Sequence, residues 1–225
     1  MDDVLPGALL NINGGDVQTL EIIVLLTLIS LFPSLLILTT SFTRIIIVLS
    51  ILRNAMGLQQ TPPNMVLVSL AIFLSLFIMG PVFDDIKETA YEPYRDGLLT
   101  QVEAVEAAGI PLKEFMLKQT KTDSLNLFLE FADIQPPEEP EGLMDLPFRV
   151  VIPSFMASEL SRAFIMGFMI YIPFLVIDVI VASTLMSMGM IMLPPVMISL
   201  PFKILLFVVI NGWDMLFITL VRSFQ

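Results

Sequence analysis

The amino-acid sequence predicts an all-α, membrane-associated chain in which two apolar, kinked helical hairpins flank an acidic helical insert. Three observations carry that expectation. The 225 residues are 56% hydrophobic and 15% charged, with a mean hydropathy of +0.88, whereas an ordinary soluble domain is about one-quarter charged. The charge is segregated: residues 1–80 carry a net −2, residues 81–150 a net −9 and residues 151–225 a net 0, within a total of −11. The apolar thirds are also punctuated by Pro and Gly, which break helices and are tolerated at membrane depth only under a cover of protein or beside a water-filled cavity.

Composition removes several functions. There is no Cys and no His, so disulfides, Cys-zinc sites, thiol nucleophiles, the usual general base and the commonest metal ligand are all missing. No G-x-x-x-x-G-K-[ST] loop or dinucleotide fingerprint is present. Twice as many acids (22) as bases (11) opposes a nucleic-acid partner, which requires clustered Lys and Arg. No cofactor, metal or enzymatic activity is expected.

Each element follows in order. Residues 1–21 form an acidic N-terminal segment without the basic region of a secretory signal. Residues 22–83 form the first apolar hairpin. Ile22–Phe42 is 21 residues without a charge, interrupted by Pro33, and at 1.5 Å per residue it crosses a hydrocarbon core of roughly 30 Å. The apolar pattern resumes after Arg44 through Ile45–Leu52, and Met65–Phe83 adds 19 uncharged residues. Gly57 and Pro62-Pro63 mark the turn between them.

Residues 84–150 are the acidic insert. Amphipathic helices are expected over Lys87–Glu106 and Leu112–Phe131, separated by Gly109-Ile110-Pro111, with a Pro-rich acidic loop over Asp133–Glu141. Phe148–Phe155 and Phe164–Phe174 read as packing surface, and Tyr91, Tyr94 and Trp213 as interfacial anchors.

Residues 151–225 form the second, broken-helix hairpin. Ala163–Ile177 and Val179–Phe202 are uncharged, but Asp178 divides them and Gly189, Pro194, Pro195 and Pro201 interrupt the second run. Basic residues orient such hairpins. Arg44 and Arg53 put the first tip, and Lys203 the second, on the cytoplasmic side. The insert and both termini are then extracytoplasmic.

Two groups of residues stand out as candidates. Arg44, Glu159, Arg162, Asp178, Lys203 and Asp214 lie in or beside apolar runs, where a charge at a helix centre costs about 2.5–3.5 kcal/mol on insertion scales. They therefore face partners, a pore or one another, or the longer ones snorkel to the interface. Glu159 and Arg162 are three apart and can pair along one helix face. Asp178 and Lys203 flank one stretch and can pair across a hairpin or between subunits.

The second group is Met186, Met188, Met190, Met192 and Met197, five of the 15 Met within twelve residues. Flexible thioethers adapt to many shapes, so the run is either core filling or the lining of a deformable aperture. Gly189 and Pro194-Pro195 keep Met190–Leu193 out of a helix interior.

Three strings, TSFTRIIIVLSILRNAMGLQQTPPNMV (40–66), IPSFMASELSRAFIMGFMIYIPFLVIDVIVASTLMSMGMIMLPPVMISLPFK (152–203) and FKILLFVVINGWDML (202–216), closely resemble the FliP/SctR family of type III secretion export-gate proteins. The resemblance covers both apolar thirds and is weak over the insert and the first 20 residues. It implies a subunit of the flagellar basal body in the bacterial inner membrane, with much of the assembled mass on the extracytoplasmic side. Five copies would assemble with FliQ-like and FliR-like subunits into a helical oligomeric ring that conducts unfolded export substrates. FlhB-like and FlhA-like proteins would lie at the cytoplasmic entrance, and a FliO-like factor would assist assembly.

In this reading, helices that look membrane-spanning are buried mostly against neighbouring subunits, and lipid is a secondary contact. Met190, Ile191 and Met192, with Met186 and Met188, would form the pore constriction.

The chain departs from the family pattern at four places. It lacks the cleavable signal many members carry, Asn211 stands in INGW where Asp is common, Ile165 replaces a polar residue, and Met190-Ile191-Met192 replaces three Met. Three other readings compete. An SctR-like subunit of a virulence secretion system keeps the family, although the strings read closer to the flagellar branch. A small membrane transporter or channel would use broken helices with Asp178 and Lys203, against the small size and the lack of an inverted repeat. An intramembrane aspartyl enzyme needs two carboxylates in one site, and only Asp178 and Asp214 are on offer in the last third.

Overall fold

The computed structural model describes residues 10–12, 15–17, 19–58, 60–137, 140–190 and 192–224. They fall into two compact units, one up to Leu38 and one from Thr39 onward.

The described residues are almost wholly helical, as expected, and the first unit adds one short hairpin. Strand β1 (Leu10–Ile12) pairs antiparallel with β2 (Gly15–Val17), in the register Leu10↔Val17, Asn11↔Asp16 and Ile12↔Gly15. The sequence signal is Asn13-Gly14 between short alternating runs, the pattern of a two-residue hairpin. Helix α1 (Thr19–Thr39) follows.

In the second unit the first hairpin is α2 (Phe42–Ala55) and α3 (Asn64–Ile86). The apolar run from Ile22 to Leu52 is therefore not one helix. It breaks at Thr40–Ser41, within a Thr-Thr-Ser run whose hydroxyls compete for backbone groups. Ser41 Oγ donates to Ser75 Oγ of α3 at 3.0 Å, and both residues are buried. Helix α2 ends in a Schellman motif: Gly57, at φ +76°, donates to Asn54 O, and Leu58 N donates to Arg53 O. Only glycine adopts that left-handed geometry at little cost, which places the turn where Gly57 predicts it.

Helix α3 continues through a π-helical turn (Lys87–Tyr91) into α4 (Glu92–Arg95). The insert adds α5 (Gln101–Gln119), α6 (Thr122–Phe131) and a 3-10 turn (Pro140–Asp145). Gly109-Ile110-Pro111 lies inside α5 and does not separate two helices, so the expected helices over Lys87–Glu106 and Leu112–Phe131 are replaced by breaks at 96–100 and at 120–121. The start of α5 is set by a capping box in which Thr100 Oγ1 accepts from Glu103 N and Glu103 Oε2 accepts from Thr100 N. Gly109 serves packing: a Cβ there would meet the Phe148 ring at 3.2 Å. Glu138 and Glu139 of the expected acidic loop lie outside the described residues.

Helix α7 (Phe148–Ser187) is a single run of 40 residues that passes through Pro153 and Pro173 and also through Asp178, where the sequence divided two apolar runs. At 1.5 Å per residue it is about 60 Å long, about twice a hydrocarbon core. The predicted breaks fall after it. Residues 188–194 separate α7 from α8 (Pro195–Val209), and a 64° bend separates α8 from α9 (Gly212–Arg222). Helix α8 continues through Pro201. At the bend Asn211 is left-handed, with φ 50° and ψ 51°. Asn and Asp adopt that region more readily than other non-glycine residues, so a short polar side chain fits this corner.

Among the described residues, Asn64–Arg95 and Phe148–Ser187 are long and apolar enough to cross a membrane, and the bent α8–α9 pair is a third candidate. Two clusters form the core. One surrounds α2, with Ile45, Val48, Leu49 and Leu52 against Leu67, Ala71, Ala163, Leu216 and Leu220. The other joins the insert to the start of α7 through Met116, Leu125, Leu129, Val150, Val151 and Phe155. Phe115 packs against both clusters.

Candidate functional site

The break after α7 is built by its last turn. Gly189, at φ +77°, donates to Met186 O, and Met190 N donates to Leu185 O, both at 3.0 Å. This is a second Schellman motif, and Pro194 and Pro195 start the next helix with φ already suited to it. Met190 is thereby tied back to Leu185 and is half-buried. Met186, Met188, Met192 and Met197 are exposed. Ile191 lies outside the described residues.

The embedded charges gather into two networks. In the first, Arg44 of α2 and Glu159 of α7 are fully buried. Arg44 Nε donates to Glu159 Oε2 at 2.9 Å, and Nη2 donates to Oε1, the two-pronged geometry that suits a guanidinium. The remaining donors are also satisfied. Nη1 bonds the carbonyl and hydroxyl oxygens of Ser223 at 2.8 and 2.9 Å, and Nη2 reaches Gln119 Oε1 at 3.3 Å. The Phe224 ring lies 3.7 Å from the guanidinium carbon, and Gln119 Nε2 donates to Phe224 O at 3.1 Å.

Arg162 donates to Gln119 Oε1 at 2.8 Å, so the expected Glu159–Arg162 pairing is replaced. The carboxylate of Glu159 is taken by a partner 115 residues away in sequence, whose position no helix periodicity encodes.

In the second network, Lys203 of α8 pairs with Asp178 of α7 at 2.6 Å, with side-chain exposures of 2% and 26%. Lys203 Nζ also donates to Ala55 O at 3.0 Å, a carbonyl in the last turn of α2 that has no intrahelical partner. The ammonium thus caps α2 at the negative end of its dipole. Ser199 Oγ donates to Asp178 Oδ1 at 2.5 Å. Asp214 joins neither network. It is exposed in the first turn of α9, where a carboxylate is favoured by the positive end of the dipole.

Gln119, Ser223, Phe224 and the Ala55 carbonyl are invisible to charge counting. Ser199, four residues before Lys203 on one helix face, was the one legible hint.

No group of three or more Asp, Glu, His or Cys side chains comes together among the described residues. An apolar groove of about 390 Å³ lies beside the α8–α9 bend, lined by Leu52, Met169, Pro173, Phe207 and Met215 among others.

A sequence model of the FliP family matches residues 25–220. The chain belongs to the FliP family. It is 51% identical over 207 residues to the flagellar biosynthetic protein FliP of Bacillus subtilis, with 92% of each chain covered. The FliP of Caulobacter vibrioides is 50% identical over 208 residues, covering 92% of this chain and 77% of the relative. The FliP of Aquifex aeolicus is 47% identical over 213 residues, covering 95% and 89%. All of the residues in the two charge networks except Ser223 and Phe224, and the whole methionine segment, fall inside the stretch that matches the FliP family.

Proposed function

We propose that this FliP-family chain is a pore-forming subunit of the flagellar type III protein export gate, in which Met186, Met188, Met190, Ile191 and Met192 line a deformable constriction. Family membership supports the flagellar setting, since the matched relatives are named flagellar biosynthetic proteins. The observation that carries the constriction is the position of the methionines. Met186 lies in the last turn of α7, Met188, Met190 and Met192 lie between α7 and α8, and Met192 is almost wholly exposed. A thioether chain has three rotatable bonds, so a ring of such side chains closes on itself at rest and yields to a passing polypeptide.

The same reading accounts for the bare apolar surface. Phe73 and Phe77 of α3, Phe164 and Phe168 of α7 and Val208 and Val209 of α8 are exposed in the single chain, more apolar area than a soluble monomer leaves uncovered. Further copies of the chain, FliQ-like and FliR-like subunits and lipid would cover it. FlhB-like and FlhA-like proteins would meet the assembly on the cytoplasmic side, with a FliO-like factor acting in its formation. Energy for transport would come from other components.

Native mass spectrometry of the detergent-extracted chain, alone and co-expressed with its FliQ-like and FliR-like neighbours, tests the assembly. An oligomer of about five copies that takes up both partners is the expected result. A stable monomer that ignores them sinks it and brings the transporter reading forward. Replacing Met190 and Met192 together by Ala should leave assembly intact and raise ion leakage across the membrane. Variants that assemble and stay tight exclude the constriction.

A further inference from the structure

Sulfur in this chain is confined to thioethers, with 15 Met and no Cys. Their exposure spans the full range. Met186, Met188, Met192 and Met197 are 64%, 67%, 98% and 67% exposed, and Met65 of α3, outside this segment, is 82% exposed, whereas Met79 and Met116 are 0% exposed. The turn that carries the exposed group is open, since nothing lies within 4 Å of where a Cβ on Gly189 would stand. Thioether oxidation is selective for sulfur that a small oxidant can reach.

We propose that the 186–197 methionine segment is an oxidation-sensitive modification site whose co-substrate is a peroxide or a hypohalous acid. With hydrogen peroxide, a sulfur lone pair attacks one oxygen and forms the S–O bond as the O–O bond breaks. The departing hydroxide takes the proton from the new S–OH group and leaves as water. Sulfur loses two electrons and the peroxide gains them. A thiol-dependent sulfoxide reductase reverses the change, with the dithiol supplying the electrons and the sulfoxide oxygen leaving as water. The product is polar and chiral where the thioether was apolar and flexible. On the export-gate reading above, on which this consequence rests, sulfoxides in the constriction admit water and loosen the resting seal.

Met169 and Met215 are also exposed in the single chain, but both line the apolar groove beside the α8–α9 bend. A neighbouring subunit seated there covers them, while a constriction facing an aqueous lumen stays accessible. Assembly therefore separates the two groups.

The test treats the assembled complex with dilute hydrogen peroxide and follows each methionine by peptide mass spectrometry. Sulfoxide should form at Met186, Met188, Met192 and Met197 roughly tenfold or more faster than at Met79 and Met116, with Met169 and Met215 slowed on assembly. In single chains held in detergent, Met192 should still lead Met79. If the loop methionines react as slowly as Met79 in both preparations, the modification site is overturned.

A variant with Met186, Met188, Met190, Met192 and Met197 each replaced by Leu keeps apolar bulk and removes every sulfur of the segment. Peroxide should raise ion leakage of the native complex several-fold and leave the variant unchanged. Oxidation at these positions without a change in leakage supports the modification site and overturns the seal reading. Equal peroxide-induced leakage in the variant overturns the assignment of the effect to these residues.

Discussion

The two halves of α7 belong to one continuous helix and differ in surroundings. Between Phe148 and Ala163, the residues Val150, Val151, Ser154, Phe155, Ser158, Glu159 and Ala163 are buried, whereas from Phe164 to Ser187 only Gly167, Phe174 and Leu185 are. The first half packs against α5 and α6 and meets α2 at Arg44, and the second meets α2 at Ile51 and α8 at Lys203 and Phe207 while leaving Phe164, Phe168 and Ile180 bare. Each half carries one acid with a basic partner. Glu159 is sealed with Arg44, while Asp178 keeps part of its surface open beside Lys203. An apolar helix of this length therefore does not state its own solvent. The rest of the chain supplies it for one half and leaves most of the other half uncovered.

The largest effect should come from the sealed half. Glu159→Ala leaves a buried guanidinium without its counter-charge, and removing one partner of such a pair costs about 3–5 kcal/mol. Thermal unfolding in detergent should show loss of most folded protein. Replacing Arg44 and Glu159 together by Met and Leu should recover much of that loss, because an apolar pair of similar volume avoids the desolvation cost. A single variant as stable as the native chain would break the comparison.

Just past the midpoint of α7, a Cβ on Gly167 would collide with the Ile51 side chain. Gly167→Ala should cost about 1–3 kcal/mol by overpacking. Gly80→Ala, with nothing within 4 Å, should instead be neutral or slightly stabilising, as expected for Ala over Gly in a helix. In the open half, Asp178→Asn should cost about 1 kcal/mol, less than a fully buried charged hydrogen bond because solvent screens the site. The same melting assay ranks it against Glu159→Ala, and equal losses would erase the distinction between the halves.

The smallest effect lies outside the apolar regions. Hydrogen bonds from the Thr100 backbone and hydroxyl hold the Glu103 carboxyl below its ordinary value of 4.5. Its stabilisation of the first turn of α5 is complete above that value and fades as pH falls through the lowered one. Hydrogen exchange at the first amides of α5 should accelerate in that acid window. In Thr100→Ala it should already be faster at neutral pH. Exchange that ignores both changes would remove the cap from the account.

What could be read in the sequence follows from the range of the forces involved. Gly57, Gly189 and the Pro pairs act within a turn, and the breaks stand where they predict. The Thr100–Glu103 cap is equally local, a Thr-x-x-Glu pattern that sets the start of α5, whereas the Gly109–Pro111 triplet sits inside that helix. Pro153 and Pro173 do not end α7, since each removes a single backbone donor and a long apolar helix makes good that loss locally. The charged members of the networks were all visible as embedded charges, and Asp178 with Lys203 was among the pairings the sequence allowed, but the pairing of Arg44 with Glu159 was not. Arg44 meets Glu159 across 115 residues and Lys203 reaches the Ala55 carbonyl across 148, and no local pattern encodes a contact of that span. Gln119, Ser223 and Phe224 carried no charge to mark them.

Ser223 lies 179 residues beyond Arg44 in sequence, and that distance has a consequence in time. During synthesis the guanidinium is made early and its final ligands late. Glu159 arrives in between, while the Ser223 oxygens and the Phe224 ring are still to be added. Until then water, lipid phosphate or another protein must host the unsatisfied donors of Arg44. The native shell around this charge therefore cannot close hairpin by hairpin as the ribosome proceeds, and it forms only after residue 224 has been released.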